Sequence, residues 1–519
     1  MTVRKLTAFL LIILATTVSS CKDRRQEQPE AERSAFGCYV DSIDSLQMEH
    51  ELKRLIDSDS SRWKADRQVQ QHYDSIGYSR HPLVWCTRMG VSADADSLLC
   101  YLRRELPMAG LDTTAFFLPQ IAQLLNITHL RTFDSLHVSI NEVLPRLDYL
   151  LSKVYVRYCT GQRFGFVRPD RLFNHMDYKA HTDNKIFAIL FGYDVKAPNY
   201  NEAANMLTSP DRMRYLYASR PHGEVYEVLR TKMDTTRSAE HRRLLGVNME
   251  RCRWQLEQPE STERRVVVNI PALQLWAICP DSVIEMRICC GTTTNKTPLL
   301  SSLITYMQVN PDWIVPQNIV KSDFLRHAGD SAYFARNRYY IVERSTGDTL
   351  TAANVTAEEM ESGQLRIGQK GGCNNSLGHI VFRFTNDFGI YLHDTNNRRV
   401  FDNERRTLSH GCVRVEKPFE LACFMLPEAD EWLQDRLRIS MNIAPVTDRG
   451  KEYLKEHDDD EKPLRLIGYQ DIIPSVPLYI IYYTAYPNPA TNELQTWPDI
   501  YGYDKAIVKE MAPFLQKYE

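Results

Sequence analysis

The stretch Thr407–Pro418, TLSHGCVRVEKP, places a cysteine directly after a glycine at the end of a polar turn. Cys412 lies nineteen residues beyond the histidine of IYLHDTNNRR (412 − 393 = 19). Four chemistries are open to such a thiol: core packing, metal ligation, disulfide pairing, or nucleophilic attack. An ordinary thiol has a pKa of about 8.5, so a nucleophilic role needs a base or a positive neighbour. His393, at the end of an apolar run and beside a DTNN turn, is placed to take that proton and return it later. Gly411 can adopt positive φ or let another chain approach closely. The backbone N–H groups of the Ser409-His410-Gly411 turn can hold a developing oxyanion. Taken alone, these residues leave the four chemistries open.

Such a site needs elements to hold it. With 519 residues and 60.2 kDa, the chain is long enough for two to four domains. Apolar residues make up 43% and charged residues 25%, which fits a globular chain and excludes a disordered one. The net charge of −3 gives no footprint for nucleic acid, and the basic spots at Arg336–Arg338 and Arg405 fit solvated faces. Residues 36–260 have helical texture. A helix is expected from Ala93 to a stop at Gly110, another from Asn141 to a break at Gly161, and a third through PHGEVYEVLRTKM, with Pro221 near its start. LEQPESTERR (256–265) marks a boundary. Short β runs follow: Val266–Ile270, Leu273–Ile278, SVIEMRICCG as a hairpin partner, Ile380–Phe384, Ile390–His393, and 475–486 near the end. Residues 321–370 are more polar and interrupted, as an insertion would be, and PFELACFMLPEADEWLQDRL returns to helix.

The N-terminus calls for separate treatment. Arg4 and Lys5 precede an apolar run from Ala8 to Ala15 that is too short for a comfortable permanent span. VSSC then resembles the lipobox of bacterial lipoproteins. That likeness implies a signal peptide over 1–20, lipidation of Cys21, a polar tether over 21–35, and a membrane-anchored chain in the cell envelope. Of the twelve cysteines, eleven remain without Cys21, so at least one thiol is free if the others pair within the chain. There is no CxxC, no HExxH and no tetrahedral metal spacing, so neither metal nor cofactor is expected. Most of the cysteines, including Cys289 and Cys290, fit core positions.

The segment NSLGHIVFRFTNDFGIYLHDTNNRRVFDNERRTLSHGCVRVEKP resembles the catalytic region of the L,D-transpeptidases, the YkuD-type family that remodels bacterial peptidoglycan. The family signature maps onto His393, Ser409, His410, Gly411, Cys412, Val413 and Arg414. NMERCRW at Asn248–Trp254, VVVNIPALQLWA, NKTPLLSSLITYMQVNPDWIVPQNI and IYYTAYPNPATNELQTWPDIYGYD are similar to the large, scaffold-bearing YcbB-like subgroup. The small helical peptidoglycan-binding insert common in that subgroup has no matching motif between 185 and 240. The resemblance implies a multidomain α+β protein. A mainly helical scaffold over 36–260 would precede a β-rich catalytic domain over 261–450, with a lid or capping insertion at 321–370. Residues 451–519 would complete the catalytic unit.

The resemblance also implies a reaction. Cys412 would attack the bond between the third stem residue and terminal D-alanine of a peptidoglycan tetrapeptide, giving a thioester. A neighbouring stem's amine would then form a 3→3 cross-link. Water would instead give an L,D-carboxypeptidase or a peptidoglycan–protein hydrolase, and a degenerate member would be a non-catalytic wall-binding lipoprotein. His393 would be the base, with Asp394 as orienting group through its carbonyl or carboxylate. The Gly411 and Cys412 N–H groups would form the oxyanion hole, with His410 at its edge. Arg414, on the nucleophile's side of a strand, would bind a substrate carboxylate or else pair with Glu416 or Asp402. Ser409 would contact substrate or cap the turn. Tyr391 and Trp313 would line the groove. Carbapenem β-lactams would acylate the same thiol.

Overall fold

A computed structural model describes residues 42–61, 63–76, 83–87, 90–177, 189–256, 263–372, 374–457 and 464–516. Cys21, Cys38 and Cys373 lie outside them, as do the signal and tether. Among the described residues no helix is long and apolar enough to cross a membrane. Two compact units emerge.

The first unit comprises residues up to 164, 197–221 and the C-terminal residues from 513. Its principal helices are Ser45–Ser58, Lys64–Ile76, Ala93–Met108, Leu118–Leu130 and Ile140–Phe164. Asp44 caps the first by accepting from the N–H groups of Leu46 and Gln47. Asp94 and Asp96 in the first turn complement the dipole of the third. Ile140–Phe164 is buried along most of its length and forms the spine of the unit. It runs through Gly161, where the sequence suggested a break; Gly161 is buried, and packing overrides its weak helix propensity. Asp148 on this helix accepts from the N–H groups of Val84, Trp85 and Cys86 and from the Tyr73 hydroxyl.

The second unit comprises residues 165–196 and 222–512 and carries the barrel. Its strands are β1 (Arg265–Asn269), β2 (Gln274–Cys279), β3 (Ser282–Gly291), β4 (Leu300–Val309), β9 (Ile380–Phe384), β10 (Leu392–His393), β11 (Thr407–Ser409), β12 (Val413–Val415) and β13 (Tyr469–Ile481). They are ordered β11-β3-β12-β10-β9-β4-β13-β1-β2, and a β2–β3 pairing closes the ring. Val266, Val268, Ile288, Ile304, Val381, Leu392, Val413, Leu478 and Ile480 are among its buried positions. The last strand begins at Tyr469, earlier than the 475 suggested by sequence, and Ala485–Pro487 pairs separately with Leu494–Thr496.

Helices Glu224–Thr235 and Ala239–Arg253 group with the barrel, so the compact division falls before residue 260. The NMERCRW segment supplies the reason. Asn248 exchanges hydrogen bonds with Thr484, Arg251 pairs with Asp504 at 2.6 Å, and Glu250 accepts from the N–H groups of Phe166 and Val167.

The insertion is a small sheet of β5 (Trp313–Ile314), β6 (Tyr339–Glu343), β7 (Thr349–Leu350) and β8 (Leu365–Gln369), ordered β5-β8-β6-β7. Its own core contains Val320, Phe324, Phe334, Ile341, Met360 and Ile367. It starts at Trp313, not 321, because β5 pairs with β8.

Candidate active site

Strands β10 and β12 run parallel, with Leu392 opposite Val413 and His393 opposite Arg414. The Val413 N–H donates to the Tyr391 carbonyl at 3.1 Å, which continues the register by one step. Alternate residues face opposite sides of a strand. Leu392, Val413 and Val415 are therefore buried in the barrel, while Tyr391, His393, Cys412 and Arg414 share the other face. All four line one cavity of about 590 Å³. Trp313, Asp323, Phe324, Tyr333 and Tyr339 of the insertion wall one side, and Leu190, Lys296, Pro298 and Phe388 contribute elsewhere.

The turn before Cys412 is held from below. Gly411 has φ of +118°, a conformation that favours glycine. Its carbonyl accepts from Thr297 Oγ1 at 2.8 Å, and that hydroxyl in turn accepts from the Gly291 N–H. The Tyr501 hydroxyl donates to the Gly291 carbonyl and accepts from the Thr297 N–H. Gly291 has no room for a side chain, since a Cβ would sit 2.1 Å from the Asn295 carbonyl oxygen. Ser409 Oγ donates to the Cys412 carbonyl at 2.5 Å and accepts from the Gly411 N–H at 3.1 Å. Its hydroxyl thus ties the turn together. The Gly411 N–H, expected at the oxyanion hole, donates to Ser409 Oγ here. The Cys412 N–H has no acceptor among the described residues.

Burial dominates the electrostatics. The Cys412 thiol is pushed up to about 11 by burial; Tyr391's backbone, Arg383, Arg414 and the Tyr391 hydroxyl pull it partly back. His393 is pulled down to about 3, first by burial and then by the Arg414 cation, against the backbones of Asp394 and Leu377. The resting pair is therefore a neutral thiol and a neutral imidazole. No hydrogen bond joins Cys412 to His393, although both line the same cavity. His393 Nδ1 is buried without a hydrogen-bond partner among the described residues.

Other expected residues take definite places. The Asp394 carboxylate accepts from the His379 N–H at 2.9 Å and approaches Arg398, which makes it a turn cap. Its backbone is what acts on His393. Arg414 does not pair with Glu416 or Asp402; Arg287 holds both, at 2.5 and 3.6 Å. Arg414 Nε is buried without a partner. His410 is half-buried and turns its Nε2 to Asp323 Oδ2 of the insertion, 3.7 Å away. Tyr391 lies under the Arg383 guanidinium at 4.4 Å.

The sequence reading missed Thr297, Tyr501, Lys296 and Asp323. Lys296 pairs with Asp177 at 2.7 Å. The NKTP run offered the only signal for Thr297 and Lys296, and it named no role. Nine cysteines among the described residues are free thiols, Cys412 included, and Cys289 and Cys290 are buried. No group of three His, Cys, Asp or Glu side chains among those residues could hold a metal ion.

Comparison with known proteins agrees with this architecture. Residues 263–434 match the family model of the L,D-transpeptidase catalytic domain (YkuD), and residues 67–233 match that of a scaffold domain. Over 245 residues, 47% of this chain, it is 30% identical to a Haemophilus influenzae protein provisionally named an L,D-transpeptidase. The aligned stretch spans 45% of that relative's length. The chain thus carries a YkuD-type catalytic domain behind an N-terminal scaffold domain.

Proposed function

We propose that this protein is a peptidoglycan L,D-transpeptidase that forms 3→3 cross-links through a thioester on Cys412. The observation that carries the proposal is the shared face of β10 and β12, which presents Cys412, His393, Tyr391 and an unpaired Arg414 to one roofed cavity. Arg414 takes a carboxylate of the donor tetrapeptide. Cys412 Sγ attacks the carbonyl that joins the third residue to D-alanine, and its proton passes to His393. The C–S bond forms as the C–N bond breaks, and His393 returns the proton to the leaving D-alanine amine. The Cys412 N–H faces the developing oxyanion; one such donor is worth about 3 kcal/mol. A side-chain amine of a second stem then displaces the thiolate. Since the resting thiol and imidazole are both neutral, bound substrate has to drive formation of the charged pair.

Carbapenems would acylate Cys412 by the same attack. The VSSC segment supports a chain lipidated at Cys21 and held at a membrane of the cell envelope. The test is product mass spectrometry with purified protein and disaccharide-tetrapeptides. Release of D-alanine, a Cys412 adduct and 3→3 dimers are expected. Tripeptide alone at every acceptor concentration would make the protein a carboxypeptidase, and no adduct at all would remove the enzymatic reading.

A further inference from the structure

The acyl-enzyme must be resolved by an amine that is largely protonated at neutral pH, and His393 is poorly suited to relieve it of a proton. That ring is buried and lies in register with the Arg414 cation, which disfavours a second positive charge. A different imidazole lines the same cavity. His410, two residues before the nucleophile, is half-buried and directs Nε2 toward Asp323 Oδ2 at 3.7 Å.

Asp323 belongs to the insertion and sits in the π-helical turn Val320–Phe324. Val320 and Phe324 at the two ends of that turn are buried in the insertion's own core, so the carboxylate is carried on an anchored support. Of the other cations of the cavity wall, Lys296 is held by Asp177, Arg326 Nε donates to His327, and Arg414 lies in register with His393. Asp323 is the carboxylate that comes within 4 Å of the His410 ring, at 3.7 Å, while Asp387 also lines the cavity.

Resting on the acyl-enzyme reading above, we propose that His410 and Asp323 form the acceptor side of the site. His410 accepts a proton from the incoming ammonium, and Asp323 is a positioning residue that holds the imidazole and attracts the cation. The balance is simple. The ammonium gives one proton to His410, and the neutral amine attacks the thioester carbonyl. The C–N bond forms, the C–S bond breaks with its electron pair going to Cys412 sulfur, and the amine's second proton returns to that thiolate through His393. The products are an amide, a Cys412 thiol and a protonated His410, which releases its proton to solvent. Water needs no such deprotonation before it enters, so the pair selects amine over water. Cross-linking, as distinct from trimming, then depends on the insertion.

The experiment is partitioning of the Cys412 adduct, using the full chain, a tetrapeptide muropeptide donor and a second tetrapeptide muropeptide as acceptor. Adduct formation is followed by intact mass, and dimer and tripeptide by chromatography. His410→Gln should lower the dimer-to-tripeptide ratio about 100-fold, within the range for one proton-transfer group. Asp323→Asn should lower it about 10-fold, the order expected for losing one charge about 4 Å from the ring near solvent, and Asp323→Glu should restore most of the loss, which a purely structural role would not do. An unchanged ratio in His410→Gln and Asp323→Asn, with adduct still forming, overturns this inference alone. Absence of any adduct on the unsubstituted protein overturns the transpeptidase reading and this inference with it.

Discussion

Arg414→Met tests the electrostatic logic of the site most directly, because it removes a cation while keeping a long side chain. Arg414 lies opposite His393 on the adjacent parallel strand, and neighbouring strands are about 4.8 Å apart. A charge-to-ring distance of about 6 Å and an effective dielectric of about 20 give 332/(20 × 6), or ~2.8 kcal/mol, equivalent to ~2 pH units. Partial exposure of Arg414 makes that an upper bound. Burial is the larger cause of the His393 depression, so the imidazole should rise from about 3 by one to two units and stay below its ordinary value of about 6.5. The thiol should also rise, since Arg414 now favours the thiolate. Burial raises the thiol and lowers the imidazole, so both shifts disfavour the thiolate–imidazolium pair in the resting site. A substrate carboxylate on Arg414 would neutralise the same cation and raise His393 in the same sense. Side-chain NMR titration of His393 and the pH dependence of Cys412 alkylation read the two groups independently. Adduct formation should require far higher donor concentration. A His393 titration that stays put, or moves down, refutes the reasoning. Loss of the fold with normal activity in the surviving fraction would move Arg414 from the site to the scaffold.

Further outcomes follow from the same structure. His393 has a depressed folded-state pKa, so its contribution to stability is complete above about pH 6.5 and is lost as pH falls toward about 3, by ~5 kcal/mol in all. His393→Gln should flatten that part of the urea-denaturation profile measured between pH 7 and pH 4, while abolishing both dimer and tripeptide. Asp148→Ala orphans three backbone N–H groups and the Tyr73 hydroxyl in the first unit, and should cost about 3–5 kcal/mol by chemical denaturation. Gly411→Ala places a Cβ where φ is +118°, at a cost of about 1–3 kcal/mol; misaiming the Cys412 N–H should slow adduct formation about 100-fold. Cys21→Ser should release the mature chain from membrane extracts, and intact mass of the unsubstituted protein should show lipid on Cys21.

Sequence conveyed the fold unevenly, for physical reasons. Buried strands such as Val266–Asn269 and Ile380–Phe384 announce themselves through β-branched runs and hairpin turns. Helix Ala93–Met108 does so through spacing and acidic first-turn residues. Closure of the ring was not legible, because β2–β3 pairing and the parallel β10–β12 contact join segments whose register no local pattern records. Gly161 misled because helix propensity is a local quantity and burial is not. The start of the insertion was missed because Trp313–Ile314 is a two-residue strand whose identity comes entirely from its partner, β8.

At the site, Cys412 and His393 drew attention through the SHGC and HD turns, yet their spacing left the thiol's chemistry open, and the structure adds that both line one cavity. The roles of their neighbours depend on which atoms are already engaged. Ser409 and Asp394 carry suitable groups for substrate or imidazole, yet one hydroxyl is spent on the turn and one carboxylate on the His379 N–H. Arg414 shows the converse. Two acids lie close to it in sequence, and only the packing of β3 against β12 gives them to Arg287. A cation that loses its local partners to a neighbour is left to meet an anion from outside. For this site, then, the informative quantity is the set of hydrogen-bonding capacities the fold leaves unused, Arg414 Nε and the Cys412 N–H.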